Sequence, residues 1–386
     1  MKRITLVLDG SADRANPALG GKTPLEAAVT PNLDRLAQRA ARAGLTGNIP
    51  AGLEVGSAVA NMGLLGFDPR AYRGRAALEA AGSGIPTKAE NLYVRMNMVT
   101  LAGESYESAV LENYSAHDIP TAQAAPIAAL LARELFRPPY ALHYVGSFRS
   151  VLEIEGGAAC YPMALAPAHD IIGQNIARHF GGEREAPLMA LQRRAFALLK
   201  GQSGPCNGVW FWGDSLAPAF PKAGKGRCVL AETILMRGIA AAGGIPNFPV
   251  KEEQPFEAFL SEKVALAVEK LNSGFERAYV HVQATDDLSH DRDPIAKANA
   301  LSAVDRVLLP ALLAGVKGDF RLLVLSDHFT FSDTGAHGEK PVPFLLYDSR
   351  VPADNGPAAR FTEAWCAATG FLTDAPGTLA LTEAQP

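Results

Sequence analysis

The sequence predicts an α/β protein with a doubly wound, mostly parallel sheet and a smaller inserted α+β cap domain. Apolar runs that stop abruptly at an acid, such as Ile4 to Leu8 before Asp9, have the composition of central parallel strands covered on both faces. Strand and helix patterns alternate over the C-terminal half, which favours a parallel sheet. From about residue 112 to 185 this alternation is interrupted. We therefore assign 1–111 and 186–386 to the main domain and 112–185 to the cap.

In the N-terminal half, each segment has its own start or stop signal. Thr30-Pro31 offers a helix start, and the apolar periodicity that follows predicts a helix ending at Gly44. A short buried helix is predicted to begin at Ser57. The segment from Leu92 to Leu101 has the composition of a strand.

The cap and the C-terminal half contain the remaining predicted elements. In the cap, a helical stretch, TAQAAPIAALLAREL, precedes two strands or a hairpin, YALHYVGSFRSVLEI. A helix around 188–199 then leads back to the main domain. Strands are predicted at 207–213, 227–232, 278–282, 322–325 and 342–348, and helices at 234–242, 256–271 and 295–313.

Composition excludes several classes of protein. With 48% hydrophobic residues the 386-residue chain can bury a large core, so global disorder is excluded. The formal charge of −4 and the absence of a basic tract argue against nucleic-acid binding. No window is apolar for long enough to predict a membrane span, and the four scattered cysteines are typical of reduced thiols in a cytoplasmic protein.

Acids and histidines follow three of the predicted strands. Because parallel strands share one carboxyl edge, these side chains are expected to converge there. They are Asp9, Asp286, His290, Asp327 and His328, with His337 nine residues further on. Each alone is also compatible with an ordinary turn acid or surface histidine. Together they predict two metal sites, since two ions about 4 Å apart form the clamp that phosphoryl transfer requires.

The two sites can be divided by spacing. Asp286 and His290 are four residues apart and can chelate one ion, which His337 would complete. Asp9, Asp327 and His328 would then hold a second ion. Carboxylate and imidazole ligands suit Mn or Zn, with Fe or Co as alternatives.

Ser57 is the candidate nucleophile. It follows a glycine at the start of a predicted helix, where backbone amides favour an anion. The alternative is a helix N-cap. His117, His143, His169, His179 and His281 are interpreted as structural or surface residues.

Several segments resemble the archaeal-type, cofactor-independent phosphoglycerate mutases of the alkaline phosphatase superfamily. They are LVLDG at 6–10, LGGKTPLEAAVTPNLDRLA at 19–37, GSAVANMGLLGFDP at 56–69, YRGRAALEAAGSGI at 72–85, VHVQATDDLSHDRDP at 280–294 and SDHFTFSDTGAHGEKPVPFLLYD at 326–348. The resemblance covers nearly the whole chain. It implies an alkaline phosphatase-like core and the glycolytic interconversion of 3- and 2-phosphoglycerate.

The resemblance also implies the roles of individual residues. One Mn or Zn site would be formed by Asp286, His290 and His337, and the other by Asp9, Ser57, Asp327 and His328. Ser57 would carry the phosphoryl group as phosphoserine, while the cap excludes water. Arg149 is the first candidate for substrate binding. The weaker candidates are Arg75, Arg95, Arg237 and Lys22.

Departures from the family pattern leave the substrate open. They lie at Val55, Ala58, His117, Asp118 and Gln174. The alternatives are a homoserine-kinase-like protein, a mutase or phosphatase for another small phospho- or phosphono-acid, and a silent metal-bearing module. The expected partner is a small phosphorylated acid, without nucleic acid or membrane, and the oligomeric state is open, a homo-oligomer included.

Overall fold

The predicted α/β class is confirmed in the computed structural model, which describes residues 1–179, 182–201 and 204–384. The chain divides into unit 1, Met1–Tyr72 with Phe220–Pro386, and unit 2, Arg73–Ala219. The strands are β1 (Lys2–Leu8), β2 (Arg42–Gly47), β3 (Leu92–Ala102), β4 (Val110–Asn113), β5 (Tyr140–Gly146), β6 (Arg149–Ile154), β7 (Gly208–Leu216), β8 (Arg227–Leu230), β9 (Arg277–Val282), β10 (Phe320–Leu325), β11 (Phe329–Thr330), β12 (His337–Gly338), β13 (Val342–Asp348) and β14 (Leu372–Asp374). The α-helices are α1 (Pro24–Ala27), α2 (Pro31–Gln38), α3 (Ser57–Leu64), α4 (Ala76–Gly82), α5 (Thr121–Glu134), α6 (Ala186–Leu199), α7 (Ile234–Ala242), α8 (Phe256–Asn272), α9 (Ala284–His290), α10 (Pro294–Ala303), α11 (Leu309–Gly315), α12 (Glu363–Ala368) and α13 (Ala375–Glu383).

In the described part of unit 1, a seven-stranded sheet has the order β14-β2-β13-β10-β1-β9-β8. Strand β13 runs antiparallel to both of its neighbours, and the other neighbouring pairs are parallel. Strand β10 is buried along its whole length, as its apolar sequence predicts. The carboxyl ends of β1, β9 and β10 therefore lie side by side at one edge of the sheet.

Helices cover both faces of this sheet. On one face, Ile4, Leu6 and Leu8 of β1 share a core with side chains of α2, α8, α10 and α11. The intervening Arg3 and Thr5 face a cavity that residues of α13 and the end of α3 also line. Alternation along β1 thus determines which residues belong to which layer.

Unit 2 has its own sheet and its own apolar core. Strand β3 is paired antiparallel with β4, β6 and β7, and β6 is paired with β5. Side chains of α5 and α6 pack against these strands. Because β3 and β7 are hydrogen-bonded to each other, residues 73–111 and 186–219 fold with the insertion. Unit 2 is therefore wider than the 112–185 segment expected from the sequence.

The helix predicted to end at Gly44 is shorter, and a strand replaces its second half. Helix α2 ends at Gln38, and residues Arg42–Gly47 form β2 between β13 and β14. A Cβ at Gly44 would lie 2.4 Å from the Phe371 carbonyl oxygen, so the glycine permits a close backbone approach. Pairing with distant strands overrides the local helical periodicity.

One helical stretch differs from the expectation that no window could span a membrane. Pro294–Gly315 is long and apolar enough by length and composition, and half of the window is buried inside the protein. It consists of α10 and α11 joined by a π-helical turn, Val304–Leu308. Leu301, Leu308 and Leu312 belong to the core of unit 1, which accounts for the apolar composition.

Candidate metal centre

Strand ends deliver the acidic and imidazole side chains to one edge of the unit 1 sheet. Asp9 follows β1 directly, and Asp327 and His328 follow β10 after one residue. Asp286 and His290 lie one turn apart on α9, which begins just after β9. His337 begins β12, the second strand of a short antiparallel ladder with β11.

Asp286, His290 and His337 form the first group, with one donor atom from each within 4.8 Å of the others. The Nε2 atoms of the two histidines are 3.1 Å apart. Asp286 Oδ2 lies 3.3 Å from His290 Nε2, and its Oδ1 lies 3.6 Å from His337 Nε2. Two imidazole nitrogens and a buried carboxylate thus face one point.

Asp9, Asp327 and His328 form the second group under the same distance limit, and all three are buried. His328 Nε2 is 3.4 Å from Asp9 Oδ1 and 3.5 Å from Asp327 Oδ2. Ser57 Oγ lies 3.0 Å from the same nitrogen. Ser57 is the first residue of α3, so its hydroxyl meets this group at the amino end of a helix.

The electrostatics of the two groups fit bound cations. Burial, together with the neighbouring Asp327 and Asp286 carboxylates, raises the pKa of Asp9 well above its ordinary value. Among the described residues Asp9 Oδ1 has no hydrogen-bond partner. A cation would relieve both the repulsion and the unsatisfied oxygen. Carboxylate and imidazole donors are ligands that Mn, Zn or Fe accept.

The pKa of Asp286 is shifted in the opposite direction to that of Asp9. Burial raises the pKa of its carboxyl, but hydrogen bonds with His290 and His337 outweigh burial and hold the pKa well below its ordinary value. The hydrogen bond with Asp286 is in turn the main cause that raises the pKa of His290. Without a cation, the first group is therefore held together as a carboxylate–imidazole cluster.

Thr330 connects the two groups, and Gly10 contacts the second. The Thr330 hydroxyl donates to Asp286 Oδ1 at 2.7 Å and lies 3.1 Å from His328 Nδ1. Gly10 donates its backbone N–H to Asp327 Oδ1 at 2.9 Å. Such contacts orient ligand atoms and hold a histidine ring in one tautomer.

Asn61 links the second group to α3. Its amide nitrogen donates to Asp327 Oδ2 and to the Ser57 carbonyl oxygen, both at 2.8 Å. The Tyr279 hydroxyl donates to Asn61 Oδ1. Asn61 thus holds the start of α3 against the carboxylate beside Ser57.

Sequence reasoning missed three of these polar residues, namely Thr330, Asn61 and His281. His281 was interpreted as a structural or surface residue; it is buried, and its Nε2 lies 3.1 Å from Asp9 Oδ2 without hydrogen-bond geometry. Burial lowers the pKa of its imidazole to about 4. The available signal was a histidine inside an otherwise apolar strand, AYVHV, two residues before the strand-end segment.

The other predicted site residues are not all free for a ligand. In unit 2, Arg75 and Arg95 both pair with Glu79, at 2.8 and 3.0 Å. Arg95 also lies over the Trp212 ring, and burial lowers its pKa to about 10. These contacts indicate that Arg95 stabilises the fold of unit 2.

Arg149 is exposed at the start of β6, with its guanidinium 4.3 Å from the centre of the Phe148 ring. In unit 1, Lys22 is exposed, and Arg237 is half-buried on α7.

The departures His117 and Asp118 lie in a strained loop of unit 2. Ala116, His117 and Asp118 have φ values of 48°, 56° and 52°. Asn113 Oδ1 accepts hydrogen bonds from the backbone N–H groups of Ser115 and His117, which holds this left-handed turn. Consecutive non-glycine residues in this region are costly and are typical of functional segments.

Sequence comparisons with known proteins agree on one family. A family described as 2,3-bisphosphoglycerate-independent phosphoglycerate mutase matches residues 38–203. A protein of Geobacter sulfurreducens named as a probable enzyme of this kind is 31% identical, covering 97% of each chain. One from Methanothrix thermoacetophila, named without qualification, is 32% identical over 92% of this chain and 93% of its own.

Two solved structures share the fold. A protein from Pyrococcus horikoshii superposes with a TM-score of 0.77 and 22% identity, covering 99% of this chain and 96% of that one. The cofactor-independent phosphoglycerate mutase from Thermoplasma acidophilum has a TM-score of 0.65 and 22% identity, with 99% of each chain covered.

Proposed function

Because this chain belongs to the 2,3-bisphosphoglycerate-independent phosphoglycerate mutase family, we propose that it interconverts 3-phosphoglycerate and 2-phosphoglycerate through a phosphoserine on Ser57. The observation that carries the proposal is the 3.0 Å approach of Ser57 Oγ to His328 within the Asp9, Asp327 and His328 group. A hydroxyl at a helix start, beside a cation-binding group, has the surroundings of an activated nucleophile.

Two divalent cations are part of the proposal. Asp286, His290 and His337 would hold one, and Asp9, Ser57, Asp327 and His328 the other. When bound, the ions would supply positive charge to the oxygens on which negative charge develops during transfer. Mn or Zn suits these ligands best, with Fe or Co as alternatives.

Ser57 would make and break the bonds of the reaction. Its Oγ attacks phosphorus, the bond from phosphorus to the 3-oxygen of the substrate breaks, and glycerate remains bound. The 2-hydroxyl then attacks the phosphoserine and the bond to Oγ breaks, so that no water is consumed. If glycerate leaves before the second transfer, water becomes the acceptor and the result is net hydrolysis.

The amino end of α3 supports this role for Ser57. Backbone N–H groups in a first helical turn lack helical acceptors and favour negative charge on a phosphoryl group. Asn61 holds the Ser57 carbonyl and Asp327 together at 2.8 Å each. This contact would hold the attacking oxygen in position beside the second group of ligands.

Substrate recognition is the least constrained part of the proposal. Arg149 remains the first candidate for the carboxylate or phosphate, with Arg75, Arg237 and Lys22 as weaker ones, and Arg95 the weakest because of its contacts with Glu79 and Trp212. A second candidate function, transfer on another small phospho- or phosphono-acid, is favoured by the strained turn that carries His117 and Asp118. Asp118 stands where the resemblance implies a substrate-binding arginine, and its carboxylate would disfavour the anionic group that an arginine would bind.

The decisive experiment combines turnover with intact mass. An enolase-coupled assay with Mn²⁺ should report conversion of 3-phosphoglycerate, and Ser57→Ala should lower the rate by at least about 10³-fold because the attacking oxygen is lost. Intact mass after incubation with 3-phosphoglycerate should show a phosphoryl adduct that Ser57→Ala lacks. No adduct and no turnover with any divalent metal would contradict the mutase proposal.

Two controls separate the alternatives. Ser83→Ala removes a hydroxyl that, in the described part of unit 2, donates to the Glu79 carbonyl, and it should leave turnover unchanged. An adduct from another phospho-acid, without isomerisation of 3-phosphoglycerate, would favour the second candidate function. ATP-dependent phosphorylation of homoserine would favour the kinase-like alternative. For the cellular setting, we propose a cytoplasmic enzyme with a small phosphorylated acid as its partner.

A further inference from the structure

Four arginines form a row across the unit 1 sheet, at the edge opposite the metal centre. Arg3 on β1 is in register with Arg321 on β10 and Arg277 on β9, and Arg277 is in register with Arg227 on β8. Residues paired across neighbouring strands project to the same face. We call these four residues the arginine row.

The arginine row is neutralised unevenly. Arg321 bonds Asp348 Oδ2 at 2.7 Å and the Thr382 carbonyl at the end of α13 at 2.9 Å. Glu383 is shared by two others, with Oε2 2.9 Å from Arg3 Nη2 and Oε1 bonded by Arg277. One carboxylate therefore serves two guanidinium groups with its two oxygens.

Arg227 is the member of the row without an ion-paired acid among the described residues. Among the described residues no carboxylate forms an ion pair with it, and its Nη1 donates to the Leu65 carbonyl oxygen at 3.4 Å. Burial lowers the pKa of Arg227 and the positive charge of Arg277 lowers it further, while the charge of Glu383 acts in the opposite direction without forming an ion pair. The row therefore carries a surplus of positive charge at this end.

A cavity of about 390 Å³ opens beside this surplus. Its lining includes the charged side chains of Arg3, Arg227, Arg277 and Glu383 and the apolar side chains of Ile245 and Leu379. The volume is within the range of small-molecule sites, and a few placed charges in an otherwise apolar wall are typical of them. Its lining suits a ligand with an anionic head and a small apolar body.

We propose that this cavity binds a small phosphate monoester whose phosphate group is held by Arg3, Arg227 and Arg277. Glu383 offers two oxygens and satisfies two arginines, whereas a phosphate monoester offers three terminal oxygens and can serve all three. Guanidinium groups bind phosphate by paired, charge-assisted hydrogen bonds. The ligand would displace Glu383, which lies in the last turn of α13.

The cavity is also connected to Ser57 through α3. Leu64 and Leu65 at the carboxyl end of this eight-residue helix line the cavity, while Ser57 begins it, about 12 Å away along the axis. Tyr279 lines the cavity too, and its hydroxyl is bonded to Asn61. A ligand that draws Arg227 from the Leu65 carbonyl would act on the helix that carries Ser57.

Calorimetric titration of the metal-loaded full chain with phenyl phosphate tests the proposal. We would use the Ser57→Ala variant so that no transfer occurs, and this binding readout does not depend on the proposed function. Arg227→Gln should weaken one binding event at least about tenfold, because a charge-assisted hydrogen bond is lost. Glu383→Gln should tighten the same event, because the competing carboxylate is removed.

The matched control is Arg360→Gln, which removes an arginine paired with Asp34 at the surface and should leave binding unchanged. Benzoate should bind at this site more weakly than phenyl phosphate. Equal affinities of the two ligands would overturn the choice of phosphate. Affinities that are the same in Arg227→Gln and Glu383→Gln as in the parent would overturn the site. Opposite shifts in the two variants would support it even if one of them were less stable.

Discussion

At the residue scale, Gly10 allows the first and second ligand groups to approach each other. Its φ of +59° belongs to the left-handed region, where a side chain is unfavourable. A Cβ at Gly10 would lie 2.4 Å from Thr330 Oγ1 and 2.7 Å from Asp286 Oδ1. The turn after β1 therefore needs glycine both for its backbone and for space.

Gly10→Ala is expected to impair metal binding as well as stability. The left-handed backbone costs about 1–2 kcal/mol, and displacement of Thr330 and Asp286 adds to that cost. Gly20→Ala is the matched control, because Gly20 has φ +65° with nothing within 4 Å of a Cβ. Urea unfolding and metal content after dialysis are the measurements. Equal metal content in the two variants would refute the proposed contact.

At the element scale, charge pairing joins β13 to its neighbour β10. Asp348 is opposite Arg321 in the antiparallel register, and their side chains bond at 2.7 Å. Hydrogen bonds with Arg350 hold the pKa of Asp348 well below its ordinary value of 3.8; burial opposes this, and Arg321 adds to it. The charged form of Asp348 is thus the form that the fold favours.

Asp348→Asn should make stability less dependent on pH. A carboxyl whose pKa is depressed in the folded state contributes stability above its unfolded pKa, and that contribution is lost as pH falls through 3.8 towards the folded value. We expect the variant to lose about 1–3 kcal/mol at pH 7 and progressively less below pH 4. Denaturant unfolding at a series of pH values measures this. Asp354→Asn is the control, because Asp354 is an exposed turn acid. The stability difference between this variant and the parent should not change with pH.

At the scale of the whole molecule, the chain has two units with separate apolar cores. All of the proposed metal ligands belong to unit 1. A ligand that binds only the folded state stabilises it by mass action, about 4 kcal/mol at a free concentration one thousand times its Kd. Metal should therefore stabilise unit 1 selectively.

Chelation is expected to increase amide hydrogen exchange in unit 1 and to leave the core strands of unit 2 protected. The largest effect should fall on α9 and β12, because they carry the first ligand group. Exchange measured by mass spectrometry with and without a chelator checks this. Addition of Mn²⁺ or Zn²⁺ in excess of the chelator should restore the protection of unit 1 and serves as the control. Equal loss of protection in β3 and β7 of unit 2 would count against the prediction.

Local patterns were sufficient for much of the fold. The apolar runs that became β1, β9 and β10 were identifiable because strands buried on both faces are uniformly apolar. Their common direction predicted that Asp9, Asp286 and Asp327 would share one edge, and these carboxylates do lie together. The assignment of ligands to individual ions remains a prediction.

Other features depended on partners far away in the sequence. Gly44 was expected to end a helix, because its own neighbours have helical periodicity, but pairing with β13 and β14 makes that segment a strand. The limits of unit 2 follow from the pairing of β3 with β7, more than one hundred residues apart along the chain. His281 was set aside because nothing in its own strand indicates that Asp9 lies beside it.

The sequence by itself determined the α/β class and the family, because both depend on local composition and on motifs that are read in order. Tertiary structure decided which carboxylates repel, which histidines face one another, and that Arg3, Arg227, Arg277 and Arg321 form one row. Charges separated along the chain interact only at the distances that strand register creates, since electrostatic energy depends on separation in space and on burial. The candidate metal centre and the cavity at the opposite edge of the sheet both arise from that register.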